Sequence, residues 1–298
     1  MRTRAVWSVF VVMLLAVLAV AQGQEQYLDI FIVQVKPEKR ADFDAISKKI
    51  AVINRQNGGD QWLAMETDYG PMNRVTMIST RNGYAEIQKG NDAFIAALQK
   101  SLGKDGADKL FADFAKCREN GRTELRRRRW DLSSNAPSDA AALAKMIGEA
   151  RYLRTTAIRI KPGQGPALEA LLKDVKAARE KSSPDVTTLV SQGEAGQEGT
   201  MFYVTTLEKS MAGYDSIAPL RKTMGDEAYE HYLKTASEIV VNTETMISHF
   251  LPEISNPAPD VIAAAPDYWT PKEVVAKGGS QKKPVVNASQ TNKMDEKK

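Results

Sequence analysis

The chain has 298 residues, 43% hydrophobic and 26% charged, with 41 Lys+Arg against 37 Asp+Glu and one cysteine, Cys117. Such a composition suits a globular protein of roughly two domains, at about 100–200 residues each, large enough to bury cores without disulfide staples. An intramolecular disulfide is excluded, and a charge balance this close to neutral gives no support to nucleic-acid binding.

At the amino terminus Arg2 and Arg4 precede an apolar run from Ala5 to Ala21, broken by Ser8. Ala19-Val20-Ala21 then places small residues where a signal peptidase reads, before polar Gln22-Gly23-Gln24. This order predicts a secretory signal peptide over residues 1–21, of bacterial type, and export to the periplasm or beyond. An uncleaved anchor is the alternative, because about 17 apolar residues is the lower limit for spanning a bilayer. No cysteine lies near the junction, which argues against a lipid-anchored form. Without Arg2 and Arg4 the balance is 41 − 2 = 39 against 37, near +2.

Tyr27 to Val35 alternates and is rich in β-branched and aromatic residues, which predicts a strand ended by Lys36-Pro37. Phe43, Ile46, Ile50 and Ile53 recur at helical spacing, predicting a helix from about Arg40 to Asn57 that stops at Gly58-Gly59. Trp62–Thr67 and Val75–Thr80 read as a hairpin about the turn Tyr69–Asn73. Helical pieces are expected at Tyr84–Ile87, Asp92–Leu102 and Ala107 to about Asn120, and a closing strand at Leu125–Trp130. Cys117, in an apolar helical pattern, reads as an inert buried thiol.

The order then repeats. Tyr27-Leu28 and Lys36-Pro37 recur as Tyr152-Leu153 and Lys161-Pro162, both displaced by 152 − 27 = 161 − 36 = 125 positions. Tyr152–Ile160 is the second copy's first strand, Pro166–Lys181 its helix, and Val186–Ser191 with Met201–Thr206 its hairpin about a glycine-rich turn, Gly193–Gly199. Gly83-Tyr84 returns as Gly213-Tyr214, and Gly103 and Ser133 return as Gly225 and Ser255 at a displacement of 122. Self-similarity at domain length signals a duplicated unit. The expected organisation is a first domain over residues 22–134, a linker over 135–150 with a short bridging helix at Ala140–Ile147, and a second domain over 151–256. An irregular, proline-punctuated tail is expected over 257–298, with Tyr268-Trp269 able to pin its start to the body.

Each copy has the order β-α-β-β-α-β, the split unit of ferredoxin-like folds. One such sheet leaves a face bare, and two copies in a chain can bury both bare faces. The segments Val33-Gln34-Val35-Lys36-Pro37-Glu38-Lys39 with Phe43, and Ile160-Lys161-Pro162-Gly163 with Leu168, resemble the dimeric α+β-barrel superfamily, in its NIPSNAP and antibiotic-biosynthesis-monooxygenase branches. The resemblance covers residues 26–134 and 151–256 and concerns the scaffold. It implies an α+β fold in which two tandem ferredoxin-like domains pack as an intramolecular pseudo-dimeric barrel, a monomer with pseudo-two-fold symmetry and room for higher assembly. No catalytic residue of either branch carries over. Haem enzymes share the same fold, so haem is a minority possibility among cofactors.

Three groups could carry chemistry. In Arg126-Arg127-Arg128-Arg129-Trp130, alternation puts Arg127 and Arg129 on one strand face and Arg126 and Arg128 on the other. The 122 displacement matches Arg127 to His249, so Arg127, Arg129 and His249 are the candidates for a barrel-mouth site holding a carboxylate or phosphate. The alternative is a solvated strand end that discourages edge pairing. His249 is also the better of two histidines for an acid/base or haem ligand, His231 being a helix-surface residue. Trp62, Tyr203, Phe202, Met77 and Met201 lie on hairpin strands and could floor a ligand cavity or fill a core. The functional expectation is a small apolar or anionic ligand between the halves. The alternatives are a cofactor-independent monooxygenase or haem enzyme, and an interaction protein of the cell envelope.

Overall fold

The computed structural model describes residues 25–183 and 185–270. The expectations for residues 1–21 and for 271–298 lie outside the described residues.

The first copy runs β1 (Tyr27–Val35), α1 (Arg40–Asn57), β2 (Leu63–Tyr69), β3 (Arg74–Arg81), α2 (Tyr84–Lys116) and β4 (Arg118–Arg128). After a linker carrying α3 (Ala140–Glu149), the second copy runs β5 (Tyr152–Ile160), α4 (Gly165–Ser182), β6 (Leu189–Ala195), β7 (Thr200–Glu208), α5 (Leu220–Met224), α6 (Asp226–Ile239) and β8 (Val240–Phe250). Two short helices follow, α7 (Pro259–Ala264) and α8 (Pro266–Trp269). The eight strands close one antiparallel barrel in the order β1-β3-β2-β8-β5-β7-β6-β4. Each copy supplies four neighbouring strands, and two seams, β2–β8 and β4–β6, join the copies. This is the architecture of the dimeric α+β barrels, closed within one chain.

Alternation along the strands sorts side chains between two environments. Outward residues of the first copy, Val33, Val35 and Val75, lie under α1 and α2 against Phe43, Ile50 and Leu98. Their counterparts Ile158, Ile160 and Phe202 lie under α4 and α6 against Leu168, Leu171 and Ile239. Each such side chain, fully buried, contributes about 1.5–3 kcal/mol. Gly58 closes α1 in left-handed backbone at φ 64°, where a Cβ would be strained.

Several boundaries depart from the sequence expectation. The fourth strand begins at Arg118 instead of Leu125, and the preceding helix stops at Lys116 instead of reaching Asn120. Residues 118–124 carry no apolar alternation because their inward face is polar and their outward face is largely exposed. The first two expected helical pieces are one helix from Tyr84, and the break expected after Leu102 stands at Gly103, which leaves helical geometry at φ 71°. The second hairpin is longer than expected, with Gly193 inside β6 and the turn confined to residues 196–199.

Residues 257–270 are not an irregular tail. Pro259 and Pro266 stand at helix N-termini, where proline's missing N–H costs nothing. Together with α3 these helices plug one end of the barrel. Trp269 is fully buried, donates from Nε1 to the Gly148 carbonyl at 2.9 Å, and meets Phe250 edge-on at 5.3 Å. Gly148 is required there, because a Cβ would stand 2.5 Å from the Val261 carbonyl oxygen.

Candidate functional site

Inside the barrel is a cavity of about 730 Å³ to which all eight strands contribute. Most contributors alternate along their strands: Leu28 and Ile32 from β1, Thr76 and Ile78 from β3, Arg122, Arg126 and Arg128 from β4, Tyr203 and Thr205 from β7, Glu244 and Met246 from β8. The end under the plug is apolar, with Met65, Leu153, Phe250 and Val261 packed together. At the opposite end, where β4 and β8 begin, Asn242 and Glu244 are exposed and the side chains of Arg122 and Arg159 keep 59% and 43% of their surface. That end is the mouth.

The chemistry is concentrated on β4. Glu124 is 2% exposed, and its neighbours hold it as a carboxylate. Arg126 donates to its Oε2 from Nε at 2.9 Å and from Nη2 at 2.6 Å, Arg122 Nη2 stands 2.6 Å from Oε1, and the Tyr203 hydroxyl donates to Oε2 at 3.3 Å. Burial alone would raise the carboxyl's pKa, but the Arg126 and Arg122 guanidiniums outweigh it and hold the group below its ordinary range. Gln197, at the tip of the β6–β7 hairpin, donates to the same Oε2 at 3.3 Å and so ties the hairpin to the site. Arg126 also lies flat over Tyr203, 3.4 Å from the ring centroid, an attraction that strengthens when desolvated.

Arg128 is different. It lines the cavity toward the plugged end, makes no ion pair among the described residues, and its buried Nε has no hydrogen-bond partner. Its guanidinium carbon lies over the Trp130 ring, 5.4 Å from the centroid. Desolvation, with the like charge of Arg126 beside it, pulls its pKa down to about 10. A guanidinium keeps its proton at neutral pH even so. A buried charge without a partner is costly, and an anion brought to it would relieve that cost.

The residues expected from the sequence divide cleanly. Tyr203 and Met201 line the cavity, and so does Trp62 at its edge, although its indole is committed to the Ile254 carbonyl at 2.9 Å. Phe202 and Met77 face the helices. The structure places Arg127, Arg129 and His249 on the outer face of the barrel, away from the cavity. Arg127 sits 3.6 Å from Glu194, and Arg129 donates to Asp131, Glu169 and Gln192 between the sheet and α4. His249 Nδ1 is 2.7 Å from Asp68 on the outside of the β2–β8 seam. The correction is one of parity: the inward pair is Arg126 and Arg128. The 122 displacement held the signal, because it matches Arg128 to apolar Phe250, the residue suited to an enclosed face. Arg74, Arg122 and Glu124 were missed because the strand was begun too late or carried no local motif. Cys117 is buried, its thiol raised by that burial.

No protein-family model matches the chain, and no curated protein matches it in sequence. Solved structures that align with it include a candidate monooxygenase from Lactobacillus acidophilus NCFM, at 10% identity and a TM-score of 0.47, covering 78% of this chain and 97% of that one. An anthrone oxidase-like protein aligns at 11% identity and a TM-score of 0.48, over 78% and 94% of the two chains. Chlorite dismutase from Candidatus Nitrospira defluvii aligns at 10% identity and a TM-score of 0.44, over 81% and 96%. Likenesses this distant carry nothing about chemistry, and the reading of the site rests on its own residues.

Proposed function

We propose that this chain is an exported protein that binds a small anionic ligand inside its barrel, with Arg128 as the anchor. The observation that carries the proposal is the Arg128 guanidinium facing the barrel cavity, with no ion pair among the described residues and its Nε buried without a hydrogen-bond partner. A side chain retained only for packing would not be charged there, because replacing buried ionic groups with apolar ones is often stabilising. The net charge of the lining agrees: Arg74, Arg81, Lys89, Arg122, Arg126, Arg128 and Arg159 line the cavity against Asp60, Glu86 and Glu244. Export is supported by the order of residues 1–21, and a mature chain beginning at Gln22 in intact-mass measurement tests it. Among the described residues no helix is long and apolar enough to cross a membrane.

The haem alternative fits the residues poorly. Among the described residues the two histidines are both outside the cavity, His249 engaged with Asp68 and His231 exposed on α6. A histidine-ligated haem in the barrel has no ligand to take.

The test is thermal unfolding of the purified chain with a panel of organic acids. A binder at a hundred times its dissociation constant stabilises by about 2.7 kcal/mol. Arg128→Met abolishes that shift yet raises the stability of the ligand-free chain by roughly 1–3 kcal/mol, because the uncompensated charge is gone. Arg127→Gln, on the outer face, retains the shift. A stabilising acid whose effect survives Arg128→Met, or a panel in which none stabilises, overturns the reading.

A further inference from the structure

Arg128 is not the only inward cation without a carboxylate partner. Arg74 begins β3 at the mouth end and lines the same cavity. Its side-chain hydrogen bond runs from Nη1 to the Met246 sulfur at 3.4 Å, and a thioether is a weak acceptor. It makes no ion pair among the described residues. Glu124 and Glu244 are near enough to favour its charge without closing on it, and burial disfavours that charge. The other β4 arginines of the lining differ: Arg122 and Arg126 both hold Glu124.

Between the levels of the two free arginines, β1 presents an apolar strip. Leu28, Ile30 and Ile32 of β1 form one cluster with Ile78 of β3. The strand register measures its length. Gln34 stands opposite both Arg74 and Asn120, so Arg128 lies 128 − 120 = 8 residues further along. At about 3.3 Å per residue that offset is roughly 26 Å between Cα levels. Two arginine side chains reaching along the wall leave a gap that a compact anion cannot bridge and an extended chain can.

We propose that the ligand is a linear dicarboxylic acid, one carboxylate held by Arg128, the other by Arg74, and its hydrocarbon middle laid along Leu28, Ile32 and Ile78. The inference rests on the reading of the barrel as an anion site and names the anion. Guanidinium forks match carboxylates in bidentate geometry at either end. The apolar strip rewards each methylene between them by roughly fourfold in affinity. A monocarboxylate of the same length would leave Arg74 unpartnered, and a short dicarboxylate would reach only one arginine.

Titration calorimetry on the full mature chain tests this with unbranched dicarboxylates of roughly 4 to 16 carbons and their monocarboxylate counterparts. A carboxylate–guanidinium contact is worth about tenfold or more. The longer dicarboxylates should therefore bind at least tenfold more tightly than monocarboxylates of equal carbon number, with an optimum length. In Arg74→Gln the ratio should fall to about one, and in Arg74→Lys, which keeps the charge, a preference should persist. Far-ultraviolet circular dichroism establishes that each variant is folded. If no acid binds, the anion-site reading and this inference fail together. If monocarboxylates bind as tightly as dicarboxylates in an Arg128-dependent way, or the preference survives Arg74→Gln, only the two-headed ligand is overturned.

Discussion

Glu124 shows how much one buried carboxylate organises. It holds Arg122 and Arg126, accepts from Tyr203, and receives Gln197 from a hairpin of the other copy. Removing its charge leaves two arginines repelling each other, so Glu124→Gln should destabilise by about 3 kcal/mol. The pH dependence has a definite sign. Its folded pKa lies below the ordinary 4.5, so its contribution is complete above that value and is lost as pH falls through the depressed one. Chemical denaturation at stepped pH should therefore show the wild type losing stability below about 4.5 more steeply than Glu124→Gln; parallel curves would mean that the carboxylate is not the group that titrates.

At the level of elements, legibility tracked hydrophobic contrast. β1 and β5 press one face against the helices and α1 and α4 press one face against the barrel, and their apolar residues recur at the period of strand or helix, so their bounds were readable within a residue or two. The first half of β4 has no such contrast. Arg118 to Thr123 face water or the polar mouth, and only pairing with β1 shows them to be a strand. That single uncertainty propagated into the site, because strand parity decides whether Arg126 and Arg128 or Arg127 and Arg129 point inward. The tail was misread for a related reason, since prolines mark helix starts as well as breaks. The lengthened β6–β7 hairpin also has a local requirement that sequence alone does not weigh. Gly196 has φ 82°, and a Cβ there would lie 2.1 Å from the Thr123 carbonyl oxygen. Gly196→Ala should cost about 1–3 kcal/mol and loosen the β4–β6 seam, read as faster amide exchange in residues 191–195 and 125–128. Unchanged exchange there would show that the hairpin does not brace the seam.

For the whole molecule, the duplication was the most legible property, because two aligned dipeptides at one displacement need no structural knowledge to see. What it could not convey is that neither copy is complete. Each ends in strands, β2 and β4 or β6 and β8, whose hydrogen-bonding edges are satisfied only by the other copy. Residues 22–138 and 139–270 produced separately should be prone to self-association through those edges, and mixing them should regenerate one species of 1:1 composition in light scattering. Two stable, independent monomers would show that the seams are dispensable. For the same reason the intact chain should unfold in one transition.

A barrel built from two identical polypeptides must place every interior residue twice, each facing its own image across the dyad. Here the position that carries Arg128 in one copy carries Phe250 in the other, and Arg126 is matched by Ser248, both 122 residues on. An enclosed guanidinium is therefore opposed by an aromatic ring instead of by a second like charge. Fusion of the copies frees the two sides of the lumen from matching: one wall carries the cations, and the wall related to it carries a ring and a hydroxyl.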